Sequence, residues 1–241
     1  MIFSSLLYFN VCMAKILKKI LHKIEKLNRI LINKSLLAQF ERHEKIEKLN
    51  VGCGPYLVKG WLNIDQERLI PQGRLLKDVS GILMLNVDVN NLDCIVPGSI
   101  RYIYASHFIE HLTHKDAINF LNKAYKWMMV GGVIRLTTPD LGLWIKKYYE
   151  NDLAFFMEYH SLYLRNDTIR TKGEIFMAEY ENFGHKWIYD FEALKNIMNN
   201  AGFSRIQQKM EFDSLIPEIK EVEPKCEGRD METFYIEAQK E

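Results

Sequence analysis

Residues 106–111 read Ser-His-Phe-Ile-Glu-His, and three of these six side chains can bind a metal or move a proton. His107, Glu110 and His111 follow the spacing H-x-x-E-H, which one group of zinc proteases uses to set two imidazoles and a carboxylate on one helix. If residues 107–111 form a helical turn, all three side chains share a face. Such a set can hold a transition metal. Without metal, a histidine can act as base while its neighbours orient it. A third use is structural, with Glu110 and His111 packing at a helix start. A zinc protease would also need a longer helix around the motif and a further carboxylate ligand, so the surrounding elements decide.

Those elements alternate. "EKLNV" (47–51), "WLNI" (61–64), "LMLNV" (83–87), "IRYIYA" (100–105) and "VIRLTT" (133–138) read as strands. "IQQKMEF" (206–212) and "TFYIEAQ" (233–239) supply two later ones. A helix is predicted over 115–130, stopped by Gly131-Gly132, and another over 191–202, with Asp190 as N-cap and Gly202 past its end. Strands alternating with helices predict an α/β fold: a Rossmann-like, mainly parallel seven-stranded sheet with helices on both faces. The hexapeptide then follows the fourth strand, at the carboxyl edge where ligands bind in such sheets.

"LNVGCGPYLVKGWLNIDQ" (49–66) runs a strand into Gly52-Cys53-Gly54 and a second short strand into Asp65. Glycines there let the backbone approach a ligand, and an acid at the next strand tip can accept both hydroxyls of a ribose. A dinucleotide fingerprint would need a third glycine three residues after Gly54, and the next one is Gly60. The Gly54–Asp65 interval is also short for a helical crossover, so a stub or loop is expected in place of a first helix.

The ends of the chain differ in charge. Net charge is +1 overall, which gives no sign of a nucleic-acid partner. Residues 1–34 nevertheless carry six lysines and one arginine against Glu25 alone, while residues 208–241 hold ten acids and five bases. Ile16, Leu17, Ile20, Leu21, Ile24, Leu27 and Leu31 recur at helical spacing. The resulting N-terminal extension (1–45) is an amphipathic helix with two uses left open: contact with an anionic membrane surface, or packing on the domain or on a second copy in a homo-oligomer. "MIFSSLLYFNVCMA" has no basic run before it and is too short to span a bilayer, so neither a signal peptide nor a transmembrane helix is expected. The cysteines (Cys12, Cys53, Cys94, Cys226) form no C-x-x-C pair, which suits a reducing cytoplasm and argues against a zinc ribbon. The remaining domain (46–241) contains an aromatic-rich stretch, 144–190. It reads either as a helical cover over the site or as a satellite core.

From about residue 46 to 240 the ordered motifs "LNVGCG", "GWLNID", "VDVNNL", "YASHFIEHL", "GGVIRLTTPDL" and "GHKWIYDFEALKNIMNNAGF" resemble class I S-adenosylmethionine-dependent methyltransferases. The likeness is strongest to a small bacterial group encoded with surface-polysaccharide genes. It implies S-adenosyl-L-methionine as cofactor, with Gly52, Cys53 and Gly54 at its methionine end, Asp65 on its ribose, Asp88 and Val89 by its adenine, and Asn50 and Ser106 lining the same site. Asn50 stands where many relatives carry an acid. The resemblance further implies O-methylation of a small-molecule, carbohydrate or phosphoryl-bearing glycan-precursor acceptor. Plant small-RNA 2′-O-methyltransferases and ubiquinone-pathway O-methyltransferases resemble the hexapeptide region, with an E-x-x-E-H-like run that helps bind a divalent metal. Here His107 replaces the first acid and His185 is the candidate fourth ligand, so a metal-free site is preferred. For that site His185, His107, His111 and Asp140 are the catalytic candidates, with a turn cap as the other role for Asp140. A cofactor-binding partner subunit without catalysis is the alternative function.

Overall fold

The computed structural model describes residues 2–40, 45–66, 71–165, 168–223 and 228–241, and within these the side chains from residue 17 onward except that of Arg229. Cys12 and Cys226 therefore lie outside the described side chains. The long helix α1 (Ile2–Phe40) precedes the sheet. The strands are β1 (Lys48–Val51), β2 (Leu62–Asp65), β3 (Leu75–Lys77), β4 (Leu83–Asn86), β5 (Ile100–Ser106), β6 (Met128–Pro139), β7 (Ser204–Lys209) and β8 (Thr233–Gln239). Between and after them lie α2 (His114–Trp127), α3 (Leu141–Tyr149), α4 (Leu153–Tyr159), α5 (Lys172–Asn182), α6 (Phe191–Ala201) and the single turn α7 (Ile219–Val222).

The strands form one eight-stranded sheet in the order β3-β4-β2-β1-β5-β6-β8-β7. This is a Rossmann-like mixed sheet, with one strand more than the sequence predicts. The pairs β1–β2, β1–β5, β2–β4 and β5–β6 are parallel; β3–β4, β6–β8 and β7–β8 are antiparallel. The unpredicted β3 is a three-residue edge strand too short to show alternation. The predicted helix over 115–130 ends earlier. Residues 128–130 are already strand, and Gly131-Gly132 sit inside β6 where its register against β5 slips between Ile100 and Tyr102. The glycines mark a bulge in place of a helix stop.

Because side chains alternate along a strand, adjacent residues build different faces. One cross-strand row reads Leu85, Ile64, Val51, Ala105, Leu136 and Ile236, all in the main core with Leu36 of α1, Phe120 and Leu121 of α2, and Leu194 and Met198 of α6. The row one residue earlier reads Met84, Asn63, Asn50, Tyr104, Arg135 and Glu237. Its apolar cover is small: Val58 and Trp61 from the loop after β1, and Ile216, Ile219 and Val222 around α7. Helices thus do not cover the two faces equally. The second face is closed by loops held through polar anchors. Arg135, wholly buried, forks onto Glu223 (Nε–Oε1 2.9 Å, Nη2–Oε2 2.8 Å) and donates to the carbonyls of Met210 and Asp213.

Residues 144–190 hold α3, α4 and α5. Trp144 is fully buried at their centre, with the rings of Phe155, Phe156 and Tyr159 set edge-on at centroid distances of 4.9, 5.6 and 4.8 Å. Many of the aromatics therefore form a small core of their own, while Tyr149, Phe183 and Trp187 stay exposed.

Candidate functional site

Successive strands run outward on opposite sides of β1, to β2 on one side and to β5 on the other, so the β1–β5 seam is the switch point where such sheets bind ligands. A cleft of about 140 Å³ lies there, lined by Asn50, Gly52, Cys53, Gly54, Tyr56, Tyr104, Ser106, His107 and Val222 among others. A larger hollow, about 750 Å³, lies between α1 and residues 91–94 and contains none of the candidate catalytic, cofactor or metal residues.

The chain after β1 makes turns and no helix, as its length requires. The peptide N–H groups of Gly52 and Cys53 both donate to the Ile64 carbonyl, and Gly54 N–H donates to Asp65 Oδ2 at 2.8 Å. Gly52 and Gly54 have φ of +64° and +47°, a conformation that disfavours side chains. A Cβ on Gly52 would meet the Phe108 ring at 2.4 Å, whereas one on Gly54 would point into open space. Asn50 spends its amide N–H groups on the Tyr56 carbonyl and Asn63 Oδ1. Asn63 in turn receives Val58 N–H and donates to the Val58 and Leu83 carbonyls. This buried amide pair, not a helix, shapes the loop. At the tip of β4, Asp88 caps the turn Val89–Asn91 by accepting from Asn90 N–H, and Val89 is buried. Gly54, Asp65 and Asp88 thus stand on three neighbouring strand ends.

Beyond the seam, His107 leaves β5 in the left-handed region (φ +46°), and residues 109–111 make a single 3-10 turn. The motif is not on a long helix, which removes the protease reading. His107 Nδ1 still lies 3.3 Å from Glu110 Oε1, an electrostatic contact without good hydrogen-bond alignment, and its Nε2 is 2.8 Å from the Thr233 hydroxyl. Glu110 is fully buried and accepts from the Thr138 hydroxyl. Burial works to raise its pKa, but the contact with His107 and the charges of His107 and His111 outweigh that and hold it below the usual carboxylate range.

His185 joins this group from 74 residues away. Its ring meets that of His111 edge-on at 4.9 Å, and Glu110, His111 and His185 each bring a ligating atom within 4.8 Å of the others. Such a set can hold one divalent transition ion. His107 is outside that trio; it links the trio to the cleft. Burial lowers the His185 pKa to about 4, although Glu110 pulls it upward. Its Nδ1 is 3.2 Å from Glu179, whose own pKa burial raises to about 10 with help from Glu232 and Glu110. Burial disfavours charge on both, so near neutrality the pair is an uncharged acid facing an uncharged imidazole. Glu179 also contacts the Tyr159 hydroxyl. Asp140 is otherwise engaged: it caps α3 by accepting from Leu143 N–H. Glu179, Thr138, Thr233 and Phe108 were not foreseen, because each depends on which distant segments meet.

No family model and no curated protein matches the sequence. Solved structures do. An S-adenosylmethionine-dependent methyltransferase from Archaeoglobus fulgidus aligns at 15% identity over 88% of this chain and 94% of its own, with a TM-score of 0.47. Another from Thermotoga maritima aligns at 16% identity over 90% and 95%, with a TM-score of 0.49. Phosphoethanolamine N-methyltransferase 2 from Haemonchus contortus, in complex with S-adenosyl-L-methionine, aligns at 13% identity over 86% of this chain and 52% of its own, with a TM-score of 0.45. At such identities the likeness is one of fold, which the strand order above carries on its own.

Proposed function

We propose that this chain is an S-adenosylmethionine-dependent methyltransferase that O-methylates a carbohydrate or phosphoryl-bearing glycan precursor. The supporting observation is the cleft at the β1–β5 seam, lined by the glycine turn and by His107, with Asp65 tied to that turn through the Gly54 N–H. The residues fit this cofactor better than a dinucleotide. No helix follows Gly54, so no helix N-terminus is there to hold a pyrophosphate. The open space beside Gly54 leaves room for a ligand's close approach.

In this reading Asp65 takes the ribose hydroxyls, Asp88 and Val89 border the adenine, and Gly52, Cys53, Gly54, Asn50 and Ser106 line the methionine end. When bound, the cofactor supplies a methyl group already activated by its positive sulfur. The protein's part is to align an acceptor hydroxyl in a cleft that excludes water and to take its proton. This reading gives that step to the His107 imidazole. It lines the cleft, and its Nδ1 lies 3.3 Å from the Glu110 carboxylate, which can hold the ring in place. His185, held uncharged by burial, orients the cluster. The acceptor class rests on the sequence resemblance alone.

Micromolar cofactor binding is expected by calorimetry, with Asp65→Ala weakening it by roughly 1.5–3 kcal/mol, the worth of a hydrogen bond to a charged group. His107→Ala should bind cofactor normally and turn over about 10²- to 10⁴-fold more slowly with a glycan-precursor pool. A wild-type protein that binds no cofactor defeats the assignment; one that binds but never produces a methylated acceptor is the non-catalytic partner subunit. The convergence of Glu110, His111 and His185 favours one variant reading, in which a divalent ion occupies them. Chelation would then abolish turnover, spare cofactor binding and be reversed by added ion.

A further inference from the structure

Helix α1 presents two separate rows of side chains. Arg29, Ile32, Asn33, Leu36 and Gln39 form the docked row. Arg29 forks onto Asp93 at 2.5 and 2.7 Å, and Asn33 donates to the Asn91 carbonyl and accepts from Asp93 N–H. Leu36 is wholly buried, and Gln39 accepts from Leu75 N–H. The second row is Leu17, Ile20, Leu21, Ile24, Leu27 and Leu31. At 3.6 residues per turn its centre lies roughly 130° around the helix from the docked row. These six are the apolar side of the helix, and they are between 48% and 64% exposed. The helix is thus fixed to the domain by a mostly polar side, and its apolar stripe faces away.

The charge pattern indicates what covers that stripe. Residues 1–34 hold seven bases and Glu25 alone among acids, with Lys19, Lys23, Lys26 and Lys34 on the arc away from the stripe. Two copies packed through the stripe would place two such helices about 8–10 Å apart. The lysines would then sit on the outer arcs, beyond the screening length of about 8 Å in physiological salt, so such a pairing would gain nothing from them. An anionic surface turns the same charges into attraction, at about 1 kcal/mol for each base near the headgroups. Among the described residues no helix is long and apolar enough to cross a membrane, so the geometry is that of a helix lying in the interface. We propose that α1 is such a helix: it seats this protein on an anionic phospholipid bilayer, with the Leu17–Leu31 stripe among the acyl chains and the lysines at the headgroups. The proposal does not depend on the catalytic reading.

The test is co-sedimentation of the full chain with phosphatidylcholine vesicles, with and without phosphatidylglycerol, at low and raised salt, alongside analytical ultracentrifugation without lipid. Wild type should partition at least tenfold more strongly onto the anionic vesicles and be released by salt. A Leu21→Glu/Ile24→Glu/Leu27→Glu variant, and separately Lys19→Glu/Lys23→Glu, should each lose at least tenfold while keeping the wild-type unfolding temperature. If the triple variant misfolds, the wild-type lipid preference and the lysine variant still decide. Equal partition onto neutral and anionic vesicles, or none onto either, overturns the proposal. So does a wild-type dimer that ignores vesicles and becomes monomeric in the triple variant, since a second copy would then cover the stripe.

Discussion

Leu136 and Arg135 are neighbours on β6, yet they belong to two constructions. Leu136 faces a row of aliphatic side chains beneath α2 and α6, where shape and burial are enough. Arg135 faces a row of amides, a phenol and a carboxylate, and its own hydrogen bonds hold the loop that closes this face. Val222, beside its partner Glu223, forms part of the cleft wall. The apolar face makes the sheet stable, and the polar face gives the cleft its shape. Apolar packing is tolerant of detail, whereas buried polar networks specify one arrangement and are costly when incomplete.

The largest expected effect tests that contrast. Arg135→Met should cost about 3–5 kcal/mol in urea unfolding, because it strands the buried Glu223 carboxylate. Combining it with Glu223→Leu should restore a good part of the loss. Leu136→Ala should cost about 2–5 kcal/mol through the cavity it leaves, with no second polar change able to restore it. If Arg135→Met is nearly neutral, the polar row is decoration and the comparison fails.

The acid–base cluster extends the comparison outside the sheet through pH. Glu179 holds a proton in the folded protein up to about pH 10, whereas the unfolded chain releases it near 4.5. Its contribution to stability is complete below 4.5 and is lost as pH rises towards 10. His185 refuses a proton until about pH 4, whereas the unfolded chain takes one near 6.5, so its contribution is complete above 6.5 and is lost as pH falls. Glu179→Gln should flatten the alkaline decline and leave the acid side unchanged. An unaltered slope between pH 7 and 9 would show that the acid ionises freely.

The smallest effect separates a cap from a catalyst. Asp140→Ala should cost about 1 kcal/mol by exposing the first turn of α3. Methyl transfer by the folded variant should stay within about tenfold of wild type, well short of the loss expected for a base. A larger loss at unchanged stability would return Asp140 to the chemistry.

The strands around Leu49, Ile64, Ile103 and Leu136 were legible because short stretches rich in aliphatic and aromatic residues, bounded by turn residues, signal strands. The caps at Asp190 and Gly202 were legible as local chemistry. Gly131-Gly132 misled for the opposite reason: a helix stop and a strand bulge use the same residue type, and only the pairing of β6 with β5 distinguishes them. At the site, the glycine turn could be read because its demands are backbone demands. The conformation of His107 and the burial of Glu179 could not. Both depend on segments far away along the chain: Thr233, 126 residues on, for His107, and Glu110 and Glu232 for Glu179.

One small feature joins the end of the aromatic-rich stretch to the opening hexapeptide. The peptide N–H groups of Lys186 and Trp187 both donate to the Glu110 carbonyl, at 2.8 and 3.2 Å. His185 sits immediately before them. Any outward displacement of this segment would withdraw an imidazole from the cluster. The group is therefore whole only while two peptide N–H groups stay seated on one carbonyl, which makes its integrity a matter of main chain as much as of side chains.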